Sequence, residues 1–278
     1  MTRKRNNGAI VWRGESWLEP GTEIVAIITG LTTPTANDKT GDLLQLWILL
    51  AHISPVDAVR TGQDRAICGD CAHRGGWVHV LEGFKFVRKF IRTCYVLVFQ
   101  SPRVIWRAFK AGKYPDITQP QRDFCQGVDV RLGAYGDPAL LPFEVVESII
   151  NPSLEGHTGY TAQWENPKID PRFKRVLMAS VNSIEERDRA NGQGWGAFRV
   201  RELGEPPTRG ELGCPSDATR AERLTCSQCM HCSGQDEGAK PFNQSIETHG
   251  AQAKYTGVAT YPDNIFDAAN MGDLHHGY

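Results

Sequence analysis

Short apolar runs bounded by glycine, proline and other turn-forming residues recur along the chain up to about residue 203. Runs of this length are typical of buried strands. The pattern predicts strands in TEIVAIITGL (22–31), LLQLWILL (43–50), GVDVRLGAYGDP (127–138), HTGYTAQW (157–164), RVLMASVNS (175–183) and WGAFRV (195–200). The stretch FKFVRKFIRTCYVLVFQ (84–100) has the same apolar density, and it predicts a strand that leads from Cys94.

Helical segments lie between these strands. The pattern predicts helices in SPVDAVRTG (54–62), SPRVIWRAFKAGKYP (101–115), LPFEVVESII (141–150) and SIEERDRANGQG (183–194). Capping residues mark their ends, with Ser101 as an N-cap before Pro102, and Ser183 and Glu186 at the spacing of a capping box. Strands and helices that alternate in this way indicate parallel β-α-β units, so the predicted fold class is α/β.

In parallel sheets and barrels, ligands bind at the carboxyl ends of the strands. The sequence places six polar residues there as candidate binding residues: Asp137, Thr161, Gln163, Ser180, Asn182 and Arg199. Asp137 precedes a proline, and an aspartate at that position is also an ordinary helix N-cap. We favour the capping role for Asp137.

The chain divides by composition into an α/β domain (1–203), a cysteine-rich metal-binding segment packed on it (204–250) and an irregular tail (251–278). Apolar runs stop at about residue 204, so we expect no strands beyond it. The amino terminus carries no apolar signal region, and the longest apolar runs are too short to cross a membrane. We therefore expect a cytoplasmic protein with reduced thiols and no membrane partner.

The eight cysteines are the main chemical signal. They form a first group (Cys68, Cys71 and Cys94) and a second group (Cys214, Cys226, Cys229 and Cys232), with Cys125 apart as a small buried residue. A CxxCxxC loop with a fourth thiolate nearby suits an iron-sulfur cluster, of which [4Fe-4S] is the favoured type. We expect one or two such clusters in the chain. Zinc is the alternative, held by the second group or by the pairs Cys68, Cys71, Cys226 and Cys229.

Two histidines are further candidates for metal ligands or acid-base groups. His73 follows the first CxxC and is a candidate nitrogen ligand of zinc. His249 in IETHG is a candidate metal ligand or acid-base group, although a hydrogen-bonded histidine is the commoner case. Motifs of P-loop hydrolases, serine hydrolases and zincins are absent from the sequence.

An ordered set of motifs carries a family resemblance: CxxC, CY, GKYP, VRLGAYGDP, GYTAQW, LMASVNS, CP, CxxCxxC and IETHG. Over about residues 20–250 the chain resembles uncharacterised bacteriophage proteins that are distantly similar to radical S-adenosylmethionine enzymes. The resemblance implies a full or partial β/α (TIM-like) barrel in the cytoplasm of an infected bacterium. It also implies a cluster held by the first group at the barrel mouth, an auxiliary cluster in the CxxCxxC, and redox or radical chemistry on an unknown substrate.

The chain departs from those enzymes in one respect. They bind their cluster with a compact CxxxCxxC, whereas residues 72–93 here separate Cys71 from Cys94. Cysteines this far apart in sequence give no local reason for one iron of the cluster to be left without a cysteine ligand. We therefore expect no cleavage of S-adenosylmethionine, which is left as an alternative cofactor. A cluster with a purely structural role is the other reading.

The formal net charge of -1 and isoelectric point of about 6.7 give no global attraction to nucleic acid. Residues 83–113 nevertheless combine cations and aromatic side chains without one acidic residue. This composition suits single-stranded nucleic acid, which is a candidate partner. The alternative is an amphipathic helix whose Ile105, Trp106 and Phe109 enter the core.

Overall fold

A computed structural model describes residues 6–34, 38–217, 222–250, 252–257 and 261–262. Its strands are β1 (Gly8–Glu15), β2 (Glu23–Thr29), β3 (Leu44–Leu50), β4 (Gly76–Glu82), β5 (Lys85–Ile91), β6 (Val130–Tyr135), β7 (His157–Thr158), β8 (Tyr160–Thr161), β9 (Met178–Val181), β10 (Ala197–Arg201), β11 (Leu212–Gly213), β12 (Asn243–Glu247) and β13 (Tyr261–Pro262). Its α-helices are α1 (Pro55–Thr61), α2 (Arg65–Cys68), α3 (Ser101–Lys110), α4 (Gln119–Gln126), α5 (Phe143–Glu147), α6 (Ile184–Gly192) and α7 (Cys226–Cys229). Most of the tail predicted at 251–278 lies outside these residues.

The first sheet has the order β1-β2-β3-β6-β7 and holds the centre of the core. β1, β2 and β3 are antiparallel neighbours, whereas β3, β6 and β7 run parallel. Every residue of β3 is buried, because both of its faces are covered. The apolar runs therefore predicted β2, β3 and β6 correctly, while β1 was not evident from the pattern.

The second sheet has the order β11-β12-β10-β9-β8, and all of its strands are parallel. Only Gly159 separates β7 from β8. Residues 157–158 pair with β6, and residues 160–161 pair with β9, so this segment belongs to both sheets. The predicted α/β class with parallel strands is confirmed, and no closed barrel is found among the described residues.

The expectation that strands end at about residue 204 is wrong. β11 and β12 both lie beyond that point, and β12 pairs with β10 over five residues. The sequence of β12, NQSIE, has a single apolar residue, yet Gln244 and Ser245 are buried in it. Its position beside β10, rather than its own β-propensity, makes it a strand.

The strand predicted to lead from Cys94 is also misplaced. β5 ends at Ile91, before Cys94, and forms a hairpin with β4 in a third small sheet. Residues 94–99 have no strand structure, although Val98 is buried in the core. Tyr95, Leu97 and Phe99 are exposed, so the apolar composition of this run indicates neither a strand nor a buried segment.

The predicted starts of α1 and α6 agree with the structure. Ser183 accepts a hydrogen bond from the Glu186 amide at 3.1 Å and caps α6, and α1 begins at Pro55 as expected. In α3 the N-cap is Gln100, one residue before the predicted Ser101. No described helix combines the length and apolar character needed to cross a membrane.

Candidate functional site

The first cysteine group comes together in space despite its long separation in sequence. Cys68 ends α2, and the Cys71 amide donates to the Cys68 carbonyl at 3.4 Å. The β4-β5 hairpin occupies most of the intervening segment, and the chain then returns so that the Cys94 amide donates to the His73 carbonyl at 3.0 Å. The insertion is therefore a hairpin that leaves the three cysteines as neighbours.

Electrostatics support this grouping. Burial raises the pKa of the Cys68 thiol well above its ordinary value, and the nearby Cys71 and Cys94 thiolates raise it further. Burial likewise raises the pKa of Cys71 to about 11, with Cys94 as the next cause. Negative charge on one thiol disfavours ionisation of a neighbouring thiol. A cation that binds all three thiolates would therefore relieve their mutual repulsion.

Residues at the carboxyl ends of β6 and β8 hold this loop. The Asp137 amide donates to the Ile67 carbonyl at 2.7 Å, and Gln163 Nε2 donates to the Cys68 carbonyl at 3.2 Å. Gly69 has a φ of 59°, and a Cβ there would lie 2.2 Å from the Gln163 side chain. Glycine at this position thus allows both the backbone turn and the contact with Gln163.

The candidate binding residues fall into two sets. Gln163, Ser180 and Asn182 line a cavity of about 320 Å³ together with Cys71 and His73, and we call it the edge cavity. It lies at the carboxyl ends of β8 and β9, where a ligand site was expected. A polar cavity thus adjoins the first cysteine group.

Asp137 and Thr161 are not among the residues that line the edge cavity. Asp137 caps a short 3-10 helix (Pro138–Leu140) by accepting from the Ala139 amide at 3.0 Å, and it also accepts from Thr161 Oγ1 at 3.0 Å. Burial raises the pKa of Asp137 to about 6. The capping role favoured for Asp137 is the one that the structure has.

Arg199, the remaining candidate at a strand end, forms ion pairs within the fold. Its Nε and Nη2 atoms donate to the two carboxylate oxygens of Glu211, and Nη1 donates to Glu205 at 2.7 Å. Both Arg199 and Glu211 are buried. This bidentate pair fixes the 205–211 loop against β10 and leaves Arg199 no free role in ligand binding.

The second group is built on a single helical turn. Thr225 and Gln228 form a capping box at the start of α7, which carries Cys226 and Cys229. Met230 ends the turn in the left-handed region with a φ of 50°, a conformation that non-glycine residues adopt at some cost. This reversal directs the chain so that Cys232 returns toward the sheet.

Backbone hydrogen bonds fix these cysteines to the rest of the fold. The Cys226 amide donates to the Lys39 carbonyl at 3.2 Å, the Gly159 amide donates to the Cys232 carbonyl at 2.9 Å, and the Cys214 amide donates to the Ser245 carbonyl at 2.7 Å. The loop before β3, the β7-β8 junction and β12 therefore meet at the second group.

Burial raises the pKa of Cys232, and the other three thiolates of its group raise it further. Burial also raises the pKa of Cys214, with Cys226 and Cys229 adding to the effect. The thiols that raise these values belong to the second group alone. The cysteines thus lie in a group of three and a group of four. The zinc pairing across Cys68, Cys71, Cys226 and Cys229 stays a prediction.

A cavity of about 380 Å³ lies between the two groups, and we call it the central cavity. Cys71 and Cys94 line it from the first group, and Cys214 and Cys226 line it from the second. Other parts of its wall are Gln45, Trp47, Tyr95, Arg131, Tyr160 and Phe198. The cavity thus places one internal space within reach of both sets of thiols.

No family model, curated protein or solved structure matches this chain. Within the described residues, no three or more histidine, cysteine, aspartate or glutamate side chains are placed so that they could hold a metal ion. A cluster places a different demand on its ligands, because each thiolate binds a different iron and the sulfurs need not converge on one point.

His249 and His73 both line the central cavity. His249 Nε2 lies 2.7 Å from Lys39 Nζ, and its ring stacks on Tyr95 with centroids 5.3 Å apart. His73 Nδ1 lies 2.8 Å from Thr93 Oγ1. His249 is therefore hydrogen-bonded, as in the commoner case, but it faces the cavity rather than the surface.

Neither Tyr95 nor Arg131 was predicted from the sequence as a site residue, although the sequence position of Arg131 is unusual. It is a charged residue at an inward position of the otherwise apolar strand VRLGAY. Its guanidinium donates from Nη2 to the Tyr95 hydroxyl, and Tyr95 lies close enough to both Cys94 and Cys226 for their thiolates to influence its pKa, which burial raises. These two side chains thus form part of the wall between the cysteine groups.

Proposed function

We propose that this chain is an iron-sulfur protein that carries out redox or radical chemistry on an unidentified substrate in the central cavity. The first group and the second group would each hold a cluster, [4Fe-4S] in the simplest case. The observation that carries the proposal is the return of Cys94 to Cys68 and Cys71 beside a cavity that also reaches the second group.

The residues present suit such clusters. Thiolates are the soft ligands that iron-sulfur clusters require, and the second group supplies four. The first group supplies three, so one iron of a four-iron cluster would have no cysteine ligand. Gln163, Ser180 and Asn182 offer amide and hydroxyl groups in the edge cavity, which Cys71 of the first group also lines.

A ligand with amino and carboxylate groups would suit these polar partners, and S-adenosylmethionine is the cofactor that the family resemblance suggests. In the bound state it would supply a reactive group at the open iron. The chain's own residues would orient it, since Gln163 is already fixed by its hydrogen bond to the Cys68 carbonyl.

The strand order supports a partial β/α barrel. Because residues 157–161 pair with β6 on one side and β9 on the other, the parallel strands follow one another as β3, β6, β7-β8, β9, β10 and β12. Inward side chains of β3, β6, β8 and β10 line the same cavity. This is the relation expected of strands that curve around a common interior.

Anaerobic purification followed by metal analysis tests the proposal. We expect brown protein with iron and acid-labile sulfide in equal amounts, and a visible charge-transfer absorption of sulfur-ligated iron. Colourless protein with stoichiometric zinc and no iron would replace the proposal with the zinc alternative.

A second candidate function, binding of single-stranded nucleic acid, has one observation in its favour. Of the 83–113 stretch, Trp106 and Phe109 pack against the core and Tyr95 lines the central cavity. The tip of the β4-β5 hairpin differs, because Phe84 is fully exposed and lies next to Lys85. An exposed aromatic ring beside a cation is the arrangement on which nucleobases stack.

We therefore expect Phe84→Ala to weaken binding of a labelled single-stranded oligonucleotide by about ten-fold, within the range of one lost base stack. Added salt should weaken binding by the wild-type chain steeply. Fluorescence anisotropy measures both effects. Phe124→Ala is the matched control, because Phe124 is also exposed but lies on α4. Equal affinities for the wild type and Phe84→Ala would rule out the hairpin as the binding surface.

A further inference from the structure

The wall of the central cavity is cationic. It carries Lys39 and Arg131, whereas no aspartate or glutamate is found among the described residues that line it. Positive charge that is withdrawn from water is costly unless a counter-charge accompanies it. A buried arginine on this wall therefore points to an anion inside the cavity.

Arg131 is the clearest case. Its side chain projects from β6, where it lies in register with Gln45 and Thr158, and it is only 8% exposed. Its one side-chain hydrogen bond within the described residues goes to the Tyr95 hydroxyl, and no carboxylate there forms an ion pair with it. A guanidinium has five N–H donors in a planar fork, so a single neutral acceptor leaves its charge and most of its donors unmatched.

The shape and the aromatic lining of the cavity indicate which kind of anion fits inside it. Trp47, Tyr95, Tyr160 and Phe198 line it, and the rings of Tyr160 and Phe198 lie 4.5 Å apart between centroids. Aromatic walls favour a flat partner that can stack on them. The volume of about 380 Å³ is at the small end of the range for organic ligands.

We infer that the central cavity binds a small planar organic anion, an aromatic or heteroaromatic carboxylate, with the carboxylate on Arg131 and the ring against the aromatic walls. A carboxylate matches the planar fork of arginine with two parallel hydrogen bonds. The inference deepens the proposed function, on which it rests only for the claim that this anion is the substrate.

The thiolates of the second group are the competing counter-charge for Arg131. Cys226 lines the same cavity, so a cluster at the second group would also place negative charge near the guanidinium. In that case Arg131 would stabilise the cluster rather than recognise a ligand. The two roles differ in what the loss of Arg131 removes, iron in one case and anion binding in the other.

Calorimetric titration of the full, anaerobically purified chain with 2-naphthoate and with its neutral counterpart 2-naphthamide distinguishes these roles. We expect the wild type to bind the acid about ten-fold more tightly than the amide, as one charge-assisted pair provides. Arg131→Gln should lose this preference and keep its iron. Arg131→Lys keeps the charge without the fork and should retain part of the preference. Arg107→Gln, a change of an exposed arginine on α3, should behave as wild type.

Wild-type protein with full iron content and no preference for the acid would overturn the inference, as would Arg131→Gln protein that retains the preference. Loss of the second group's iron in both Arg131→Gln and Arg131→Lys, with no acid preference in the wild type, would assign Arg131 to the cluster instead. Protein without iron that still prefers the acid would leave the anion site standing and remove the proposed function.

Discussion

Replacing Cys229 by alanine is expected to remove about half of the iron from anaerobically purified protein, because a cluster that loses one of its thiolates is not retained. The CxxCxxC loop supplies three of the four thiolates of the second group. Its one-turn helix α7 and the left-handed Met230 form a segment too short to be stable alone. In the proposed iron-sulfur protein, metal binding would therefore be coupled to the order of this loop. We also expect a lower midpoint of thermal unfolding in Cys229→Ala.

Iron and acid-labile sulfide per chain, together with the unfolding midpoint, measure this effect. Cys125→Ala is the matched control, because it makes the same chemical change at a thiol that is fully buried in the apolar core on α4. This control should keep its full iron content. Iron loss in Cys125→Ala with retention in Cys229→Ala would show that the cysteines have been grouped wrongly.

The reduced protein is expected to change its paramagnetic spectrum when S-adenosylmethionine is added, and Cys71→Ala should not respond. The wide spacing of Cys71 and Cys94 argued against cofactor cleavage as long as only the sequence was considered. In the structure the β4-β5 hairpin takes up that spacing, and the Cys94 amide returns to the His73 carbonyl. The physical reason for the negative expectation is thereby removed, so we propose an open iron at the first group.

Spectra of the reduced cluster with and without S-adenosylmethionine, and an assay for deoxyadenosine, test this second prediction. Cys229→Ala serves as the control, since it should lose the cluster of the second group and still respond through the first. An unchanged spectrum in wild-type protein with both clusters loaded would limit the first group to electron transfer or a structural role.

Local patterns determined much of the architecture. The apolar runs of β2, β3 and β6 and the capping pair Ser183 and Glu186 are recognisable from sequence because neighbouring residues fix them. The CxxCxxC is local in the same way, since three cysteines this close in sequence need only a capped helical turn and one left-handed residue to lie near one another. The sequence by itself therefore determined the α/β class and the composition of the second group's loop.

Contacts between distant segments decided the rest. β12 is a polar strand whose pairing with β10 no propensity predicts, and Cys94 joins Cys68 and Cys71 only because a hairpin closes the chain between them. Arg131 and Tyr95 lie far apart in the sequence and meet only at the wall of the central cavity. The spacing of residues along a chain fixes distances only within a few turns. The closure of the first cysteine group and the cavity that Arg131 lines were therefore decided by the tertiary structure.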